Sequence, residues 1–146
     1  MNEQLIIRDA TEQDAEELAL LMNELGYPTS VAEMENRLKK IIRHPDYQTI
    51  VIETNGTIVA MAGLVISLSY EKNAKGARIM AFVTRQEYRN KGIGKALMEA
   101  VESRTRQLGA EHIAISSRNI EARRDAHAFY LKIGYQIKSS LFVKKL

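Results

Sequence analysis

Asn55-Gly56 is a strong two-residue signal for a tight hairpin, because both turn positions need positive φ. The runs on either side, Gln48 to Thr54 and Thr57 to about Ser69, each read as a strand. The second run is apolar on both faces through Ile66, which places it in the interior of a sheet rather than at an edge. Its longest apolar stretch, Ile58 to Ile66, is far shorter than the roughly 20 residues needed to cross a bilayer. A chain built around such a strand needs partners on both edges and helices on both faces.

The remaining pattern supplies them. Leu5 to Arg8 reads as a short strand. Thr11 and Asp14 form a capping pair before a helix with Ala15, Leu18, Met22 and Leu25 on one face, ended by Gly26-Tyr27-Pro28. Ser30 and Glu33 make a second capping box, opening a helix to about Arg43. Glu71 to Gly76 is a polar turn, and Arg78 to Thr84 is another strand. A glycine-bearing loop, Arg85 to Gly92, leads into a helix striped by Ile93, Leu97, Val101 and Leu108 and closed by Gly109. His112 to Ser116 is a strand. A helix through Ala122, Ala126, Phe129 and Ile133 stops at Gly134, and two short strands follow near Tyr135–Lys138 and Leu141–Lys144. The predicted order is β-α-α-β-β-β-α-β-α-β-β, an α/β chain with a mixed, mostly antiparallel sheet of about seven strands.

The 146 residues suit one domain with one core. The absence of cysteine excludes a disulfide framework, a thiolate nucleophile and cysteine-ligated metal sites. His44, His112 and His127 lie far apart without ligand spacing, so no metal is expected. The N-terminus, Met1-Asn2-Glu3-Gln4, carries no basic flank before an apolar stretch, so the expected location is cytoplasmic. Net charge is only +3, but its distribution is uneven. Residues 1–73 hold 6 Lys/Arg against 12 Asp/Glu, and residues 74–146 hold 15 against 6. That asymmetry points to an anionic ligand on the second half.

The anion has an obvious seat. Arg89-Asn90-Lys91-Gly92-Ile93-Gly94-Lys95 joins a strand to the start of a helix, where unpaired backbone N–H groups and a partial positive charge suit a phosphate. A P-loop would need glycine where Arg89 stands and a hydroxyl where Ala96 stands. A dinucleotide fingerprint would need a third glycine where Leu97 stands. The pattern Arg-x-x-Gly-x-Gly fits fully. It resembles the acetyl-CoA signature of the GNAT N-acetyltransferase superfamily. Asn119 and the run Ala126 to Tyr135, with its Phe129-Tyr130 pair and Gly134-Tyr135 step, resemble that family's closing motif. The similarity covers nearly the whole chain, with a weaker likeness to aminoalkylphosphonate and aminoglycoside acetyltransferases.

The resemblance implies one acetyltransferase domain over residues 1–146, with the fourth and fifth strands splayed to admit the pantetheine arm of acetyl-CoA. It implies that backbone groups of Phe82, Val83 and Thr84 pair with that arm, the Val83 N–H polarising the thioester carbonyl. Backbone groups of Arg89, Asn90, Lys91, Gly92, Ile93, Gly94 and Lys95 would hold the pyrophosphate, and Asn119 would bond near the pantetheine end. Tyr130 matches the general acid that protonates the leaving thiolate. The acceptor is a small primary amine attacking directly in a ternary complex, with a peptide N-terminus or a non-enzymatic CoA-binding domain as alternatives. A homodimer is common in the family. The glutamate that relatives carry on the fourth strand is missing: the candidate positions read Arg78, Met80 and Ala81. Glu24, His44, Asp46 and Glu71 are candidates to substitute for that base, through water, and loss of the amine's proton to bulk solvent is the alternative. His127, on the same helix face as Tyr130, reads as a packing residue.

Overall fold

The computed structural model describes residues 4–118 and 121–146. It contains five strands and four α-helices among these residues: β1 (Ile6–Asp9), α1 (Ala15–Leu25), α2 (Val31–Arg43), β2 (Tyr47–Thr54), β3 (Thr57–Leu68), β4 (Lys75–Thr84), α3 (Ile93–Gln107), β5 (Ala110–Ile115) and α4 (Arg124–Lys132). The sheet order is β1-β2-β3-β4-β5. The first three pairings are antiparallel. β5 lies beside β4 after a helical crossover through α3, which makes the sheet mixed. The chain divides into two compact units, Met1–Ala114 and Ile115–Leu146.

Local signals place most element ends where the sequence puts them. Asn55 and Gly56 turn with φ of 51° and 75°, as a hairpin of this kind demands. Ser30 and Glu33 close their capping box: the Ser30 hydroxyl accepts from the Glu33 N–H at 3.1 Å, and the Glu33 carboxylate accepts from the Ser30 N–H at 2.9 Å. Asp14 accepts from the Thr11 N–H at 2.8 Å and opens a single 3-10 turn, Glu12–Asp14, ahead of α1. Asn23 then fixes the α1–α2 loop, donating to the carbonyls of Ala19 and Thr29 and accepting from the Thr29 N–H.

Side chains alternate across the strands, so the two faces carry separate cores. Val51, Met61 and Val83 pack with Leu18, Leu21 and Leu38 of α1 and α2. The opposite face takes α3, whose Arg104 donates to Gln48 at 2.6 Å and pairs with Asp9 at 2.6 Å. β3 is buried along most of its length, as its unbroken apolar run predicts.

The expected strands at Tyr135–Lys138 and Leu141–Lys144 are absent, so the sheet has five strands rather than about seven. Apolar side chains of this segment face solvent, with Ile137 84% and Phe142 93% exposed. Alternating pattern alone does not hold a hairpin; without a third strand or a buried face it is marginal in water. β4 also begins earlier than expected, at Lys75, and the polar turn is correspondingly shorter.

One ion-pair network ties β1 to α1 and β2. Arg8 donates to both oxygens of Asp14 at 2.9 and 3.0 Å and to Glu53 at 2.7 Å. Arg8, first, and then the Thr11 N–H hold the Asp14 carboxyl below its ordinary value of 3.8. A lowered folded pKa means that this stability is present above the ordinary value and lost as pH falls through the folded one. We expect Asp14→Asn to cost about 1.5–3 kcal/mol at pH 7. Urea unfolding should show the gap from the parent narrowing below pH 3.8. Thr105 gives a second expectation. Its hydroxyl is buried without a hydrogen-bond partner among the described residues. Thr105→Val removes that cost at constant shape and should raise stability by about 1 kcal/mol in the same assay.

Candidate active site

The loop from β4 to α3 is built so that backbone, not side chain, faces the helix entrance. Gln86–Tyr88 forms one 3-10 turn, closed by Tyr88 N–H to Arg85 O at 2.9 Å. Asn90 and Gly92 both take positive φ, 62° and 82°. A Cβ on Gly92 would meet nothing within 4 Å, so glycine is required there by the backbone angle and not by crowding. Its carbonyl accepts the first intrahelical bond, from Ala96 N–H at 3.1 Å.

No side chain caps α3, and its first turn has no acid. α1 and α2 differ: Glu16 and Glu17 stand in the first turn of one and Glu33 in the first turn of the other. The α3 entrance is instead ringed by exposed Arg89, Lys91 and Lys95. Arg89 donates to Thr84 O at 3.1 Å, and the Lys91 ammonium lies 5.3 Å from the Tyr88 ring centroid. Free N–H groups, the positive end of the helix dipole and three cations make this a seat for a polyanion. Arg89, Asn90, Lys91, Gly92 and Lys95 are exposed around this entrance, whereas the Ile93 side chain is buried in the core.

Glu24 has a role that no sequence pattern marks. Its carboxylate accepts from the Gln86 N–H at 3.0 Å, tying α1 to the loop. The other candidate bases are placed elsewhere. His44 accepts from the Asp46 N–H at 3.2 Å and packs edge-on against Tyr47, which makes it part of the α2–β2 turn. Glu71 lies in the β3–β4 turn, where its N–H donates to the Ser69 hydroxyl. Among the described residues no group of three His, Asp or Glu side chains could hold a metal.

Phe82, Val83 and Thr84 end β4, and their backbones do not all face the same way. Arg85 N–H donates to Val59 O, and Ile66 N–H to Asp46 O, both at 2.8 Å. In an antiparallel ladder such bonds recur on alternate residues. With Met61 opposite Val83, the Val83 N–H turns toward β3, and the N–H groups of Phe82 and Thr84 turn to the edge on which β5 lies.

In the second unit, α4 carries Tyr130 between two aromatic neighbours. The Phe129 and Tyr130 centroids are 5.8 Å apart at 62°, and Tyr130 and Tyr135 are 6.4 Å apart. Burial pushes the Tyr130 phenol above its ordinary value of 10.0, and the Arg123 charge opposes that shift. His127 Nε2 lies 3.0 Å from the Ser117 hydroxyl. Asn119 lies outside the described residues.

Residues 13–135 match the family model described as the acetyltransferase (GNAT) family. An aminoalkylphosphonate N-acetyltransferase from Salmonella typhimurium is 30% identical over 145 residues, covering 96% of this chain and 90% of that one. An uncharacterized N-acetyltransferase of Bacillus subtilis is 30% identical over 125 residues, covering 85% and 86%. A GNAT family acetyltransferase crystal structure from Staphylococcus aureus superposes with a TM-score of 0.84 at 34% identity, covering 97% and 98%. The family match over residues 13–135, with relatives 30% identical along most of their length, makes this chain a member of the GNAT N-acetyltransferase family, enzymes that use acetyl-CoA.

Proposed function

We propose that the protein moves an acetyl group from acetyl-CoA to the primary amine of a small molecule, with residues 1–146 acting as one cytoplasmic transferase domain. The observation that carries this is the uncapped, acid-free entrance of α3 beneath Arg89, Lys91 and Lys95. Its backbone N–H groups take the pyrophosphate, the glycines at 92 and 94 admitting close approach. A relative named for aminoalkylphosphonates supports a small-molecule acceptor over a peptide.

The pantetheine arm then runs along the β4 edge away from β3. Backbone alternation gives that edge to Phe82 and Thr84, so the amide that polarises the thioester carbonyl belongs to one of these and not to Val83 as the resemblance implied. The neutral amine attacks the thioester carbon, the nitrogen of the tetrahedral intermediate gives its extra proton to solvent, the oxyanion collapses, and the C–S bond breaks to release the CoA thiolate. Tyr130 donates the proton that the thiolate needs, and Asn119 steadies the arm. Glu24 is already occupied by the Gln86 N–H, and β4 offers Arg78, Met80 and Ala81 where a base would stand, so the ammonium surrenders its proton to solvent. Two such domains associate as a homodimer in this proposal.

Three outcomes test it. Isothermal calorimetry should detect acetyl-CoA binding that weakens at least about tenfold when Arg89 and Lys95 are both changed to Glu, as expected for charge-assisted phosphate contacts. A folded parent without affinity for acetyl-CoA overturns the assignment. Tyr130→Phe should lower kcat by about a hundredfold with the acetyl-CoA KM unchanged. Because the phenol is held protonated past its ordinary value of 10.0, no loss of the parent's activity from Tyr130 ionisation should occur below that pH.

A further inference from the structure

A cavity of about 140 Å³ lies under α2, against the sheet face that carries Met61 and Val83. Its floor comes from one register row across three strands: Thr49 opposite Gly63, and Gly63 opposite Ala81. Three small residues side by side leave a hollow. A Cβ built on Gly63 would sit 3.9 Å from the Ala81 Cβ, in ordinary contact, so nothing about crowding requires glycine there. Met22, Met34 and Leu38 of α1 and α2 line the cavity above this floor, with Met61 and Met80 from the strands. Four of the chain's six methionines therefore line one small space. Methionine is flexible and polarisable, and it adapts to apolar guests of differing shape.

We infer that this cavity holds the apolar body of the acceptor, assigning the enzyme to primary amines that carry a six-carbon ring or chain. The assignment rests on the transferase activity proposed above. Size sets the guest: an apolar cavity of about 150 Å³ accommodates benzene. Charge sets its orientation. Among the residues lining the cavity the charged one is Arg37, whose guanidinium donates to the Thr29 hydroxyl at 3.2 Å, lies 3.8 Å from the exposed Glu33 carboxylate, and leaves its side chain 47% exposed. A cation there repels the ammonium end and favours an amine pointing the other way, along the floor toward β4. Ala81 on that floor is followed directly by Phe82, whose N–H faces the far edge of β4. Neighbouring strands lie about 4.8 Å apart, so a two-methylene linker carries the nitrogen most of the way across from the floor to that edge. The matching probe is 2-phenylethylamine.

The experiment compares 2-phenylethylamine with ethylamine and 2-aminoethylphosphonate, in the parent and in Gly63→Val. Acetyl transfer is followed by release of the CoA thiol, and amine binding to the CoA-loaded protein by calorimetry. In the parent, kcat/KM for 2-phenylethylamine should exceed that for either small amine by at least about tenfold, since even one buried methylene discriminates by that order. Gly63→Val fills the hollow and should abolish this advantage while leaving ethylamine turnover and acetyl-CoA affinity unchanged. Thr49→Leu, which fills the same row from β2 and lies away from the β4 edge, should do the same if Gly63→Val fails to fold. Equal kcat/KM values for the three amines, a preference for the phosphonate, or variants that slow all amines alike would each overturn the cavity assignment and leave the transferase intact. Binding of 2-phenylethylamine that Gly63→Val removes, without acetylation of any amine, would instead uphold the cavity and sink the transferase reaction.

Discussion

The pairing of β3 on both of its edges is the constraint from which the site follows. A strand apolar on both faces has one acceptable place, the middle of a sheet covered by helices on both sides. Once β3 is there, its register with β2 and β4 is set by the need to keep Met61 and Val51 under α1 and α2 while the alternate residues meet α3. That register decides which backbone groups of β4 turn to β3 and which turn to the edge beside β5. It also lines up Thr49, Gly63 and Ala81 in one row. The direction of the β4 amides and the hollow are thus consequences of one ladder.

Electrostatics divide the labour around that ladder. Acids in the first half are spent on structure: Asp14 and Glu53 hold Arg8, Glu17 accepts from the Ile58 N–H at 2.6 Å, and Glu24 accepts from the Gln86 N–H. Each of these carboxylates fixes a loop or strand near the helices of that half. The bond from Glu24 matters most for chemistry, because it reaches the first residues of the loop that carries the cations. The charge asymmetry legible in the sequence is real, but its acidic side works through these contacts with backbone and arginine.

What the sequence displays well is whatever a local pattern specifies. The hairpin at Asn55-Gly56, the Ser30–Glu33 box and the glycine-bearing entrance to α3 are all decided within a few residues, and all appear where expected. The two C-terminal strands do not appear, because an alternating pattern there states only what a partner would find. The contact of Glu24 with a backbone N–H sixty-two residues away has no local signature. Nor does the cavity: Gly63 and Ala81 are unremarkable singly, and Thr49 joins them only once the register is known. The direction of the Val83 N–H was likewise hidden, since a motif fixes which residues are present and not which way a strand turns its amides.

The irregularity in β4 joins these features. Ile79 pairs with Leu64 and Ala81 with Gly63, so Met80 is an extra residue with no partner on β3. Leu64 and Gly63 are consecutive and lie on opposite faces, and their partners Ile79 and Ala81 must do so too. In an unbroken strand two residues spaced by one would share a face. The inserted methionine therefore transfers the downstream half of β4 from the α3 face to the α1–α2 face, and it lines the cavity beside Ala81. Bulges of this kind bend and twist the strand that carries them. Here the bend falls two residues before Phe82, at the end of the strand beside β5. A single extra residue thus decides both which β4 side chains face α1 and α2 and where the strand bends before Phe82, so the proposed acceptor cavity and the proposed thioester edge share one structural cause.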